Sequence, residues 1–469
     1  MRRGSAHRIS LALAVLLTAP LPAAGAPDFD AAARSAREVL EALVAADTTN
    51  PPGNESRAVA VGAARLQSAG IPYEVKTFAP GRENLVARVS GDGSEPPVLL
   101  LAHIDVVGTE GQQWSTDPRR VVEKDGYLQA RGVSDDLGMA AVELAVLTLL
   151  KQELVPLARD VIMAWTGDEE SGGAGVRWLL ANDPQSIDAA IVLNEGGGVR
   201  LGEGGKPAFI ELQTAEKTYQ NFTITARGST GHSSVPLPDN AIYRLARALE
   251  RLEKHIFPAR LLPVTRAWLR ERSQIEPSEV GAAMRKLADS AGELPPDALA
   301  VIEKTPLLAS NLRTTCVATM ISGGTRVNAL PASATATINC RIVPDERVED
   351  VAKEIVRVLA DPGLEVEPSE EFGFGEPSPL EGAGPAAIAK AAREMWPGIP
   401  IIPFMSRGAT DSRFLRARGA AAYGIDPIAL TEEDARRAHG IDERIPATAL
   451  RTAIEFLYRL VVELAGKRA

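Results

Sequence analysis

The stretch from Val98 to Gly138 constrains this chain more than any other. Val98 to Ala102 is a short, wholly apolar run, the pattern of a strand buried on both faces of a parallel sheet. It leads into His103-Ile104-Asp105. Residues two apart on an extended chain share a side, so His103 and Asp105 emerge together at the strand's carboxyl end, where open α/β sheets hold ligands. A histidine beside a carboxylate suits a metal ion, with one ring nitrogen binding and the carboxylate orienting the ring. Asp135-Asp136 then precedes a helical pattern from Leu137 to Leu150. Carboxylates at a helix amino terminus are favoured in the ionised, metal-binding form. Each motif alone would equally suit a surface histidine or a helix cap.

Two further acidic strand ends decide between these readings. Asp160 to Thr166 reads as a buried strand ending in Gly167-Asp168-Glu169-Glu170-Ser171-Gly172-Gly173. Ala189 to Leu193 reads as another, ending at Asn194-Glu195-Gly196. Helical patterns at 31–45, 57–69 and 176–181 alternate with strands, and Asn50-Pro51-Pro52-Gly53 marks a turn. Strand–helix alternation with acids at successive carboxyl ends predicts a doubly wound α/β domain with its site at one edge of the sheet. After Thr214 the pattern changes. Strands at 219–226, 313–321, 332–342 and 364–368, with helices at 240–253 and 348–359, predict an inserted α+β unit with an antiparallel sheet. The first domain resumes near Phe372, with a helix at 386–395 and a last helix at 447–464.

Met1 to Ala26 has Arg2, Arg3 and Arg8, an apolar stretch from Ile9 to Leu17, and Ala24-Gly25-Ala26. This is the pattern of a secretory signal with a small-residue cleavage site. It predicts an exported, periplasmic or extracellular protein, and no later segment has the length of a membrane span. Without those three arginines the formal charge moves from −10 to −13, which argues against nucleic acid or an anionic membrane as partner.

In order, the motifs are H-x-D, S-D-D before a helix, D-E-E-x-G-G, N-E-G, G-x-x-G-H-S-S at Gly228–Ser234, and H-G-x-x-E at His439–Glu443. This series resembles the dizinc aminoacylase/carboxypeptidase family, which includes glutamate carboxypeptidase, aminoacylase, carnosinase, acetylornithine deacetylase and succinyl-diaminopimelate desuccinylase. The segment from Phe257 looks most like the vacuolar carboxypeptidase and secreted N-acyl-amino-acid hydrolase branch. The resemblance implies a zinc-peptidase catalytic domain (27–214 and 373–469) and an inserted ferredoxin-like lid and dimerisation domain (215–372), with a helical insert at about 255–310. It implies two Zn²⁺ per subunit, with Co²⁺ or Mn²⁺ as substitutes, a homodimer, and a small peptide or N-acyl amino acid as substrate.

Carried over residue by residue, the resemblance makes His103, Asp135, Glu170, Glu195 and His439 metal ligands, with Asp135 bridging. Asp105 would orient His103. Glu169 would be the general base that takes a proton from metal-bound water to give the attacking hydroxide. His232 would supply an oxyanion group, reaching the partner's site in dimeric members. Arg341 would grip the substrate carboxylate, and Asn328, Gly408 and Thr410 would make further substrate contacts. Two Zn²⁺ against Asp135, Glu170, Glu195 and one hydroxide give a near-neutral site, which can be buried without an uncompensated charge. Many relatives carry Lys at Leu137 and Asp at Asn194 and Asn339, none of them a proposed ligand. The remaining classes are an aminopeptidase, which the inserted domain with Arg341 disfavours, and a metal-holding protein without catalysis, which Glu169 disfavours.

Three features stay outside the motifs. His255 follows an amphipathic helix and reads as a cation at its carboxyl end. The helical insert, with Phe257, Leu261, Leu262, Val264, Trp268 and Leu269, would either border an acyl pocket or simply pack on the inserted domain. Cys316 and Cys340 lie on strands that could pair. The irregular turn between them leaves the register unfixed, so two buried free thiols are expected, with a bridge as the alternative.

Overall fold

The computed structural model describes residues 27–369 and 375–468. The secretory pattern at 1–26 lies outside them. The large sheet has eight strands. In order across it run Tyr73–Ala79, Arg82–Val89, Val161–Thr166, Val98–His103, Ile191–Leu201, Ala421–Thr431, Pro207–Glu216 and Ile401–Ser406. The centre is parallel, from Val161–Thr166 through Ala421–Thr431.

Val98–His103 shows why the sheet is covered on both sides. Every residue in it is buried. Leu100 and Ala102 join a core with Leu40, Leu43, Val142, Val146 and Leu457, from the helices Phe29–Ala46, Leu137–Gln152 and Ala449–Ala465. Leu99 and Leu101 face the other way, onto Val176, Leu179 and Leu415. A strand buried on both faces needs no alternation of polar and apolar residues, hence the continuous apolar run.

Ile191–Leu201 departs from expectation. It does not end at Asn194. Its first half pairs with Val98–His103, and its second half turns to pair antiparallel with Pro207–Glu216. Gly196, at φ 117°, allows this change of direction. A Cβ there would also lie 1.9 Å from Gln213 Oε1. Glu195 therefore sits at an irregularity within a strand rather than at a strand end.

The second sheet is antiparallel, in the order Thr315–Gly323, Ser333–Ile342, Thr218–Arg227, Leu364–Pro368. Ser333–Ile342 alternates strictly in burial. Its inward residues pack with Phe222 and Ile224 against the helices Ala241–Glu253 and Val348–Leu359. Register places Cys316 opposite Cys340, and the two form a disulfide, which overturns the expectation of free thiols. The helices of the insert share a core with Phe209 and Ile402, on the last two strands of the large sheet, rather than simply covering the second sheet. His255 Nε2 lies 3.2 Å from a carboxylate oxygen of Glu354, on the second of these helices.

Candidate metal centre and active site

The carboxyl ends of the parallel strands converge as expected. His103, buried, closes its strand. Its Nδ1 is 2.9 Å from the main-chain carbonyl of Asp105. A carbonyl can only accept, so Nδ1 carries a proton and Nε2 is the ring nitrogen available to a metal. Nε2 faces Asp135 Oδ1 at 3.0 Å. The other oxygen of Asp135 lies 3.0 Å from His439 Nε2, which is 3.1 Å from Glu170 Oε1. Asp135 thus offers one oxygen to each histidine, the arrangement of a bridging carboxylate.

The expected role of Asp105 is divided. Its main chain orients His103, while its carboxylate sits 3.7 Å from that ring. The carboxylate instead accepts from the backbone N–H groups of Glu169 and Glu170, at 3.1 and 3.2 Å, and from Asn50 Nδ2 at 2.8 Å. It fixes the turn that carries the two glutamates. Asp168, at φ 71°, completes that turn through Arg82 and Asn50.

Donor atoms of His103, Asp135 and Glu170 lie within 4.8 Å of one another, and so do those of His103, Glu169 and Glu195. Glu169 is therefore as close to the cluster as Glu195, the expected ligand. Burial, reinforced by Asp411 and Glu170, pushes Glu169 well above the usual carboxylate range. Burial and then Glu169 and Asp135 do the same to Glu195. Asp135 and Glu170 raise His439 to about 10, so the cluster holds a proton where a dication would sit. Glu170 Oε1 is buried, with His439 Nε2 facing it at 3.1 Å. The carboxylate oxygens and imidazole nitrogens gathered here fit two divalent cations of the zinc, cobalt or manganese type.

Asp135, Glu169, Glu170, Glu195 and His439 form one wall of a cavity of about 410 Å³. Tyr219, Arg341, Gly408, Ala409 and Arg413 line the rest. Arg341 lies over the Tyr219 ring at 4.5 Å and donates to Asn339 Oδ1 and the Arg407 carbonyl. Arg413 Nε is buried without a hydrogen bond. Among the described residues neither arginine is paired with a carboxylate.

These motifs and this site match a known family. The family model "Peptidase family M20/M25/M40" covers residues 99–463. The chain belongs to this family. It is a hydrolase of the metallopeptidase type, and its mixed α/β fold is the one expected. It is similar to the human N-fatty-acyl-amino acid synthase/hydrolase PM20D1, 28% identical over 379 residues, 79% of this chain and 75% of the relative. It is also similar to rat aminoacylase-1A, 25% identical over 429 residues, 89% and 92% of the two chains. Among solved structures, an M20 family metallo-carboxypeptidase from Sulfolobus solfataricus shares the fold with a TM-score of 0.69 at 18% identity, covering 92% of this chain and 98% of that one. Human carnosine dipeptidase 1 does so at 0.61 and 17%, covering 93% and 98%.

Not every anticipated residue of this M20 protein reaches the cavity. Thr410 is buried, and its hydroxyl donates to Glu216 Oε1 at 2.5 Å. It anchors the loop rather than facing substrate, whereas Gly408 does line the cavity. His232 and Asn328 are exposed and sit together where Gly231–His232 pairs with Ala329–Leu330. Neither lines the cavity of its own chain. His232 Nδ1 meets only Ser234, in hydroxyl and backbone contacts. Tyr219 and Arg413 escaped the sequence reading, because nothing local marks a strand tyrosine or a helix arginine as site-facing. Glu443 was visible as the end of H-G-x-x-E, but its contacts were not.

Proposed function

We propose that this protein is an exported dizinc hydrolase. It would cleave the amide between an acyl or aminoacyl group and an amino acid with a free carboxylate. The observation that carries this reading is the cavity itself, with a metal-donor wall facing two guanidinium groups that lack carboxylate partners. A substrate carboxylate held there by Arg341 and Arg413 places its amide toward the donors. Two Zn²⁺ would acidify water and polarise the carbonyl oxygen. Glu169, raised by burial, takes the proton from water and returns it to the leaving nitrogen.

Residues 215–372 act in this proposal as lid and dimerisation domain. Thr315–Gly323 is an open sheet edge with Val317, Met320 and Ile321 exposed, beside exposed Ile242 and Tyr243. Such an edge is a template for a second copy. That copy would bring its own His232 to this site as the oxyanion group. The acyl group would enter a second cavity of about 400 Å³, which shares Gly408 with the first and is lined by Trp268, Leu307, Leu308, Phe404 and Met405. These side chains suit the chain of an apolar acyl group, beside charged residues of the same cavity that include Arg200, Glu211, Arg272 and Arg407.

A panel of N-acyl amino acids, dipeptides and amino-acid anilides, assayed with and without a chelator, tests this. Chelator-sensitive cleavage of the first two classes is expected, with longer acyl chains preferred over acetyl. Cleavage of anilides alone would indicate an aminopeptidase, and no cleavage a binding protein. Glu169→Ala should keep both metals and lose most activity, while Glu170→Ala and His439→Ala should lose metal as well.

A further inference from the structure

The two ligands that face each other across the second half of the metal cluster, Asp135 and His439, sit on turns rather than on strands. His439 has φ 61° and Asp442 φ 57°, the left-handed region that non-glycine residues adopt only when their surroundings enforce it. One buried ion pair ties both turns together. Glu443, fully buried, accepts from Ser134 N at 2.9 Å, Ser134 Oγ at 3.1 Å and Asp135 N at 3.2 Å. Its other oxygen pairs with Arg131 at 2.5 Å. Arg131 reaches on to the Gly440 carbonyl at 3.2 Å and to Gln112 Oε1 at 3.0 Å. Gln112 Nε2 donates to the His439 carbonyl at 3.0 Å. Ser115 N donates to Asp442 Oδ1 at 2.8 Å. Trp114 donates to Gln112 and lies under the Arg131 guanidinium at 5.1 Å.

We infer that Glu443, Arg131 and Gln112 form a clamp that sets the geometry of the metal site completed by His439 far more than that of the other. This rests on the dinuclear reading above. The other ion's ligands, His103 and Glu195, are carried by neighbouring paired strands and owe nothing to the clamp beyond the shared Asp135. Glu443 and its partners touch no substrate and act through Asp135 and His439. They are positioning residues. Outer partners of this kind typically change metal affinity by about 10- to 100-fold when removed, and here the loss falls mainly on one ion of two.

The experiment titrates metal-free protein with Zn²⁺ against a chromophoric chelator, which resolves stoichiometry and both affinities. The melting temperature of the metal-free protein is measured alongside. Wild type should take two ions. Glu443→Gln should keep one near wild-type affinity and hold the other about 10- to 100-fold more weakly, the same ion that His439→Ala loses. Gln112→Ala, at a half-buried position, should weaken that ion by a smaller factor at an unchanged metal-free melting temperature. If Glu443→Gln does not fold, Gln112→Ala carries the test. Equal weakening of both ions, or an unchanged titration in Gln112→Ala, overturns the clamp. A single ion in wild type overturns the dinuclear reading instead, before any variant is compared.

Discussion

Reducing the Cys316–Cys340 bridge should loosen the four-stranded sheet by a calculable amount. The bridge closes a loop with a sequence separation of 24. In the chain-entropy account a loop of that size restricts the unfolded chain by about 12 cal/mol/K, so the bridge stabilises by about 3.5 kcal/mol at 25 °C. Residues 317–329 within the loop are all exposed, so their packing offers little compensation once the bridge opens. At about 1.4 kcal/mol per factor of ten, the loss is roughly a 300-fold rise in local opening. Amide hydrogen exchange of Thr218–Arg227 and Ser333–Ile342, read by mass spectrometry with and without a reductant, measures it directly. Reduction removes no heavy atom, whereas Cys340→Ala would also leave a hole at a fully buried position. Exchange in these strands should accelerate by two to three orders of magnitude, while Val98–His103 stays unchanged. Two free thiols in denatured, unreduced protein would refute the bridge. Exchange rates indifferent to the reductant would refute the entropy argument.

Replacing Arg341 with Met should raise KM for N-acyl amino acids by about 10- to 100-fold, the loss of charged hydrogen bonds of about 1.5–3 kcal/mol, with little change in kcat. A lower kcat at constant KM would take Arg341 out of carboxylate binding. Burial, then Arg407 and Arg341, lower Lys217 from its ordinary 10.5 to about 7. Between these values the unfolded chain binds a proton that the folded chain does not. Stability from this group therefore rises with pH from 7 towards 10, by up to about 1.4 kcal/mol per unit, and is flat below 7. Urea unfolding at pH 7 and pH 9 should show this slope in wild type and not in Lys217→Met, and equal slopes would exonerate Lys217. If His232 acts across a dimer, co-expressing Glu169→Ala and His232→Ala chains should recover roughly a quarter of wild-type activity, because half the dimers are mixed and each has one whole site. Recovery no greater than the sum of the separate variants, with subunit mixing verified by tag pull-down, would place His232 in its own chain's site or outside catalysis.

Elements with strong local patterns were legible in the sequence. Val348–Leu359 and Leu364–Pro368 stand at the expected bounds, since amphipathic periodicity is a local property. The strand Ala421–Thr431 was not anticipated, although it lies between Ile191–Leu201 and Pro207–Glu216 in the large sheet. Its run is broken by Gly424 and Pro427, which read as turn residues. In the sheet they fall at register irregularities, where the ladder tolerates them. Thr410 illustrates the limit at the site. Its loop was found, but only packing reveals that the hydroxyl turns inward to Glu216.

The sequence by itself determined that acids and a histidine stand at the ends of buried strands, in an order matching one hydrolase family, because chemistry-bearing residue types and strand ends are written locally. Tertiary structure alone decided the pairings. Asp135 offers one oxygen to His103 and one to His439. Cys316 faces Cys340. Glu443 reaches Arg131 and the Asp135 backbone. His232 stands away from its own chain's cavity. These contacts join positions up to several hundred residues apart. Their adjacency comes from the order of strands in the sheet and the register between them, which side-chain periodicity along one segment does not encode.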